Sequence, residues 1–359
     1  MSNLSSEPEM LISRASHRPR HILEAMITIS DAQKPAKSSP ADRVSSLGIL
    51  NRLPPEVTFM VLGMLDIPSI ANFARVSFRG NSCIQSLRAY RDLVTFAPQV
   101  LVALGRVGLI RLHSVAELYA ALRTERCASC AEYGAFLFLL TCKRGCWECL
   151  RHNPSLRALS PKEAMRYFGL SKKQIKRLPT LFVLPANYDI TRNPSPQDCR
   201  LVSVKAAKEL GLVVHGSTEQ LAQAMAKRCK SGRLLVTGQF YQSEPTASQS
   251  QDLLLMPSQG NIPPADFFGM ASIPFPSLSA SGRIENGLWC RGCEITVHRY
   301  DSVRLPRDVL AALVPTNCEA MRVLLGLERR ARSRESFLEH AKQCYGIQQL
   351  VPRLTIGND

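Results

Sequence analysis

The sequence lacks the signatures of several large protein classes. Its 359 residues contain no apolar run that approaches the ~18 residues a membrane-spanning helix needs. They contain no G-x-x-x-x-G-K-[ST] phosphate-binding loop, no H-E-x-x-H metalloprotease helix and no G-x-S-x-G nucleophile turn. The opening MSNLSSEPEM has no apolar segment typical of a secretion signal. We therefore predict a protein without catalytic chemistry or a membrane partner, located in the cytoplasm, the nucleus or both.

Acidic residues are scarce relative to basic ones. The chain has 29 Asp and Glu against 45 Lys and Arg, which gives a net charge of +16. Residues 143–236 hold most of the excess, with 18 basic and 6 acidic residues and a net charge of +12. A basic surface of this kind favours anionic partners, either nucleic acid or an acidic protein. The apolar content of 45% is sufficient for most of the chain to fold.

The cysteine pattern predicts a metal site. In a reducing compartment, metal binding is favoured over disulfides. Cys127 with Cys130 and Cys146 with Cys149 form two C-x2-C pairs, fifteen residues apart, which is the spacing of a four-cysteine zinc site. Cys142 is a fifth candidate ligand, although the paired geometry argues against it. Because four thiolates leave no open position for water, we expect this zinc to be structural.

A second metal site is predicted later in the chain. Cys290 and Cys293 form a third C-x2-C pair, and His340 and Cys344 are spaced H-x3-C. Residues four apart on a helix lie one turn apart on the same face. The two pairs together supply the ligands of a zinc site with three cysteines and one histidine. The alternative is that the cysteines belong to the core and the histidine lies on the surface.

Composition and local patterns predict an α+β, multi-domain chain, with a small all-α module followed by a zinc-stabilised α+β region. Capping boxes predict helix starts at Ser160 with Glu163 and at Ser171 with Gln174, and residues 180–184 are predicted as a strand. Ser- and Pro-rich stretches predict disorder and linkers. The predicted boundaries are a disordered arm at 1–46, the helical module at 47–95, a basic α+β domain at 96–240, a linker or long loop at 241–264, a C-terminal region with the second zinc site at 265–350, and a tail at 351–359.

Residues 50–92 are predicted to form short helices with more apolar residues than so small a unit buries. The run Leu53-Pro54-Pro55-Glu56-Val57, with the apolar positions that follow, resembles the F-box family. The resemblance implies that this module binds the Skp-type adaptor of a cullin ubiquitin ligase. The residues it assigns to the adaptor are Leu53, Pro54, Glu56, Val57, Val61, Leu62, Leu65, Ile67 and Ile70. The alternative is a helical cap that packs on the next domain.

Residues 127 to about 230 resemble the DNA-binding region of the xeroderma pigmentosum group A repair family. The resemblance rests on the four-cysteine module, the Glu163-Ala164 helix, the turn at 167–170 and the helix start at Gly216-Ser217. It implies a zinc subdomain packed on a small α/β subdomain whose basic residues contact DNA. The candidate residues are Lys172, Lys173, Lys176 and Arg177. Otherwise these four residues form a solvated face or bind an acidic protein.

Two function hypotheses follow from these patterns. The first is a substrate-receptor subunit of a Skp–cullin–F-box ubiquitin ligase with an unknown protein target. The CRGC doublet and the late H-x3-C resemble the cysteines that accompany the F-box in fungal proteins. The alternative is a nucleic-acid-binding zinc protein with an accessory helical docking module. A RING-type ligase is disfavoured because the two ligand groups lie about 140 residues apart.

Overall fold

The structure is a computed structural model that describes residues 7–30, 45–186, 188, 200–243 and 262–350. Helices dominate and the strands are short, which confirms the predicted α+β class. The predicted tail at 351–359, and all but the ends of the predicted linker at 241–264, lie outside the described residues.

The helices are numbered in chain order. Those of the first half are α1 (Glu7–Ala15), α2 (Arg20–Glu24), α3 (Pro55–Gly63), α4 (Ile67–Val76), α5 (Phe78–Ser86), α6 (Arg88–Phe96), α7 (Pro98–Arg106), α8 (Val115–Arg123), α9 (Trp147–His152), α10 (Pro161–Tyr167) and α11 (Lys172–Ile175). Those of the second half are α12 (Val204–His215), α13 (Thr218–Arg228), α14 (Gly232–Gln242), α15 (Arg291–Asp301), α16 (Arg307–Leu313), α17 (Ala320–Arg329), α18 (Arg334–Gln343) and α19 (Tyr345–Leu350).

The strands pair antiparallel in small sheets. They are β1 (Ser16–His17), β2 (Phe136–Phe138), β3 (Lys143–Gly145), β4 (Ala158–Leu159), β5 (Thr180–Phe182), β6 (Arg200–Ser203), β7 (Ser272–Pro274), β8 (Ser277–Leu278), β9 (Ile284–Glu285) and β10 (Trp289–Cys290). Among the described residues the sheet orders are β1-β10, β3-β2-β7, β4-β6-β5 and β8-β9. The β2–β3 hairpin and β7 join residues from two predicted domains in one sheet.

The N-terminal segment corrects one prediction. Composition predicts a disordered arm at 1–46, but residues 7–30 contain α1, β1 and α2. Ile22, Met26 and Ile27 are buried in the main core, and the N–H of Ile27 donates to the carbonyl of Ser272 at 2.9 Å. The prediction of disorder is wrong here because the apolar partners of this segment are distant in sequence, so that no local periodicity marks it.

The helical module contains the short helices α3, α4 and α5 and most of α6. Pro54 immediately precedes α3, and Pro55 is its first residue. The carboxylate of Asp66 accepts a hydrogen bond from the N–H of Ser69 at 2.8 Å, which caps the start of α4. The hydroxyl of Ser77 caps α5 in the same way. These caps satisfy backbone N–H groups that a helix start leaves without partners.

The inner face of this module packs on the following helices. Leu62 is 3% exposed and Ile70 is 0% exposed, in a core that also contains Leu118 of α8. Leu65 and Ile67 are partly buried against the same core. Of the residues that the resemblance assigns to the adaptor, Leu62 and Ile70 are therefore occupied in the protein's own core, as the inner stripe of an amphipathic helix is.

The basic α+β part has a small core of its own. Both predicted capping boxes are present, at Ser160 with Glu163 and at Ser171 with Gln174. The predicted strand at 180–184 is observed as the shorter β5. The sheet β4-β6-β5 and helices α10 to α14 enclose an apolar cluster that includes Phe168. This subdomain positions the basic residues of α11 on the surface.

Candidate metal centres

The first centre is formed by four cysteines. The sulfur atoms of Cys127, Cys130, Cys146 and Cys149 all lie within 4.8 Å of one another, and those of Cys130 and Cys146 are 3.6 Å apart. A disulfide brings its sulfurs to ~2.05 Å. Tetrahedral zinc with Zn–S bonds of ~2.3 Å separates its sulfurs by ~3.8 Å. The cluster therefore has the dimensions of a four-thiolate metal site and is compatible with zinc, as predicted.

Two tight turns present these sulfurs. In the first turn, the N–H of Ala131 donates to the carbonyl of Cys127 at 3.1 Å, and the N–H of Ser129 lies 3.5 Å from the Cys127 sulfur. In the second turn, Cys146 immediately precedes α9, and the N–H of Cys149 donates to its sulfur at 3.4 Å. The β2–β3 hairpin lies between the two turns in the chain and brings them together.

A buried arginine joins three segments beside the first centre. Arg144 is only 2% exposed, and its guanidinium donates to the carbonyls of Gly134, Ala121, Phe275 and Pro276 at 2.7–3.0 Å. Burial lowers its pKa to about 10, which leaves it charged at neutral pH. Sequence analysis missed this residue, because an arginine within a basic run gives no local signal of burial.

The pKa values of three cysteines in the first centre are shifted in opposite directions. Hydrogen bonds from Cys130, Cys146 and Cys149 lower the pKa of Cys127 far below that of a free thiol. The pKa values of Cys146 and Cys149 are raised, because their thiol protons are held in hydrogen bonds to Cys127 and Cys130 and because both residues are buried. Since a metal ion requires thiolates, its binding to this centre would release protons and weaken at low pH.

Cys142 lies outside the first centre. It sits at the turn between β2 and β3 with a backbone φ of 53°. Burial raises the pKa of its thiol to about 12. The four ligand atoms that converge are those of the two C-x2-C pairs.

The second centre joins residues distant in sequence. The ligand atoms of Cys290, Cys293, His340 and Cys344 all lie within 4.8 Å of one another. The sulfurs of Cys290 and Cys344 are 3.7 Å apart, and Cys293 Sγ lies 3.3 Å from His340 Nε2. These distances suit a tetrahedral site with sulfur and nitrogen ligands. The cluster is compatible with the predicted second zinc.

Helices α15 and α18 supply the second set of ligands. Cys290 immediately precedes α15, Cys293 lies in its first turn, and His340 and Cys344 lie at the end of α18. The backbone of α15 meets the start of α19 at Gly292 and Gly346. A Cβ on Gly346 would overlap the backbone of Gly292, and a Cβ on Gly292 would overlap the backbone at Gly346 and Ile347. Two glycines are required here because larger residues would separate the elements that carry the ligands.

The outer face of α3 exposes apolar side chains. Of the predicted adaptor contacts, Val57 and Val61 are exposed on this face, and Leu53, Pro54 and Glu56 are exposed at or just before its start. Three further apolar residues, which are not among the predicted adaptor contacts, are more exposed still: Met60 at 66%, Met64 at 73%, and Ile49 at 76% in the turn before α3. Exposed apolar residues grouped on one helix are typical of a binding surface.

The four basic candidates lie together around α11. Lys172, Lys173, Lys176 and Arg177 are all exposed, while Ile175 between them is buried. The short helix therefore directs its cationic residues toward solvent. Contacts between clustered Lys or Arg residues and phosphates do not depend on base sequence.

Comparison with known proteins identifies no similar protein. No family model, no curated protein and no solved structure matches the chain. Among the helices of the described residues, none combines the length and the apolar composition that a membrane span requires. Any functional conclusion therefore rests on the residues and geometry described above.

Proposed function

We propose that the protein is a substrate-receptor subunit of a Skp–cullin–F-box ubiquitin ligase. The observation that carries the proposal is the exposed apolar face of α3. Leu53, Val57 and Val61 have the positions that resemble the F-box, and Met60 and Met64 extend the same face. The inner residues of the module pack on the adjoining helices. The exposed face of α3 therefore belongs to a helix that is held in place by the main core.

We further propose that both metal centres bind zinc. Zinc accepts four-coordinate sulfur and mixed sulfur–histidine ligand sets, whereas calcium and magnesium require oxygen ligands. With four protein ligands each, the centres have a structural role, holding together elements that present the target-binding surface. The residues that would hold zinc are Cys127, Cys130, Cys146, Cys149, Cys290, Cys293, His340 and Cys344.

Adaptor binding tests the receptor assignment. The full chain would be titrated with the purified Skp-type adaptor of the same organism by isothermal titration calorimetry. A Val57→Asp/Val61→Asp variant places two charges on the exposed face, and Asn72→Asp changes an exposed residue of α4 as a matched control. We expect the double variant to bind at least about 30-fold more weakly, or about 2 kcal/mol, as for interface anchors. Equal binding by the double variant and the wild type would contradict the proposal.

Metal analysis tests the zinc assignment. Elemental analysis of the purified chain is expected to give two zinc ions, and Cys146→Ser and Cys293→Ser are each expected to remove one. Cys229→Ser is the control, because Cys229 is buried in the separate core of the basic part and is not among the converging ligands. Loss of zinc in the control, or retention of two ions in either ligand variant, would refute the ligand assignment.

The alternative function is binding of nucleic acid through α11, which the four exposed cations there favour. Fluorescence anisotropy with a labelled mixed-sequence duplex would measure it as a function of salt. Changing Lys172, Lys173, Lys176 and Arg177 to Gln would lower the log–log salt slope by about 3 to 4 if all four contact phosphates. Arg304→Gln/Arg307→Gln, at exposed positions elsewhere, is the control. An unchanged slope in the fourfold variant argues against phosphate contacts at α11.

A further inference from the structure

The folded N-terminal segment lies directly on the second metal centre. Strand β1 pairs antiparallel with β10, and Ser16 is opposite Cys290 in the register. Cys290 is both a candidate ligand and the residue that precedes α15. Because a strand partner restricts the backbone of the residue it pairs with, β1 restricts the position of this ligand.

The same segment covers the apolar surroundings of the ligands. Ala15 is completely buried in a cluster with Cys290, Cys293, Phe337 and Cys344. Leu11 and Ile12 of α1 pack against this cluster from outside. An apolar shell around a metal site controls the access of water and therefore of competing ligands.

An ion pair joins α1 to the helix that carries the histidine ligand. The guanidinium of Arg334, the first residue of α18, donates to both carboxylate oxygens of Glu9 at 3.0 and 2.6 Å. Fork-to-fork pairs of this kind fix the relative orientation of two side chains. Together with the strand pairing and the buried alanine, this pair gives the segment three independent attachments around one centre.

We infer that residues 7–17, the N-terminal strap, and the metal of the second centre stabilise one another. Docking of the strap positions Cys290 and shields the site, and metal binding in turn fixes α15 and α18, on which the strap docks. Such coupling is reciprocal by thermodynamic necessity. The inference rests on the proposed zinc assignment, and the first centre serves as an internal reference because the strap makes none of these three attachments there.

Zinc release tests one direction of the coupling. The full chain would be mixed with a chromophoric chelator, and the release from each centre assigned with the Cys146→Ser and Cys293→Ser variants. Ala15→Asp places a charge in the buried shell, and Ser13→Asp places the same charge at an exposed position of α1. We expect Ala15→Asp to release zinc from the second centre about 10-fold faster or more, with release from the first centre and the behaviour of Ser13→Asp unchanged.

Hydrogen exchange tests the other direction without disturbing the strap. In His340→Ala, amides of residues 7–17 are expected to exchange much faster than in the wild type, while those of β2 beside the first centre keep their protection. Suppose that the wild-type chain binds two zinc ions. An unchanged rate of zinc release in Ala15→Asp would then overturn the coupling but not the zinc assignment. Unchanged hydrogen exchange of the strap in His340→Ala would do the same. A wild-type chain that binds one zinc, at the first centre, would overturn the second zinc assignment and the coupling with it.

Discussion

Arg144 offers the sharpest test of how the first centre is supported. Replacing it with Met keeps an unbranched apolar stem that ends short of the guanidinium, which removes all four hydrogen bonds to the carbonyls of Gly134, Ala121, Phe275 and Pro276. A net value of about 1 kcal/mol for each bond gives a loss of about 4 kcal/mol in the free energy of unfolding. We use a low value per bond because burying the guanidinium costs it its hydration, and this cost offsets part of what the hydrogen bonds contribute.

Urea unfolding followed by circular dichroism would measure this loss for the zinc-loaded chain. Lys143→Met is the matched control, since Lys143 is the neighbouring residue of β3 and is exposed. We expect the control to change the free energy of unfolding by less than about 0.5 kcal/mol. A loss below about 1 kcal/mol for Arg144→Met would refute the view that this arginine joins α8, the segment at Gly134 that precedes β2, and the segment after β7.

Three further predictions address other parts of the molecule. Gly346→Ala is expected to lower the melting temperature measured by calorimetry, because its Cβ would overlap the carbonyl of Gly292, whereas Gly105→Ala, with open space around the Cβ, is expected to leave it unchanged or raise it. Cys142→Ala is expected to retain both zinc ions in elemental analysis, and loss of one would make Cys142 a ligand. Burial lowers the pKa of His113, so its protonation favours the unfolded state and stability falls as pH decreases below about 6.5. His113→Gln should show a smaller decrease in urea midpoint over that range, and an equal decrease would contradict this origin.

Local sequence patterns predict the local features of this fold well. The helix starts at Ser160 and Ser171 follow from side chains that cap their own neighbours, so no distant contact is needed to recognise them. The two C-x2-C pairs of the first centre are recognisable for the same reason. The H-x3-C pair of the second centre is also local, since His340 lies in the last turn of α18 and Cys344 immediately follows that helix.

Features that depend on distant partners escape such patterns. The order of residues 7–30 depends on β10 and on Ser272, at the other end of the chain. The burial of Arg144 depends on carbonyls of Phe275 and Pro276, which nothing near β3 indicates. Leu62 and the exposed residues of α3 share one helix, and its packing on residues distant in sequence, such as Leu118 of α8, decides which face is buried and which is exposed.

Purification of a tagged full-length chain from its native cells, with mass spectrometry of the proteins that accompany it, tests the receptor proposal most directly. The proposal predicts a Skp-type adaptor and a cullin with the wild type and with Asn72→Asp, and their loss with Val57→Asp/Val61→Asp. Proteins retained in that variant are then candidate targets. Absence of adaptor and cullin from the wild type, or their equal recovery with the double variant, would contradict the account.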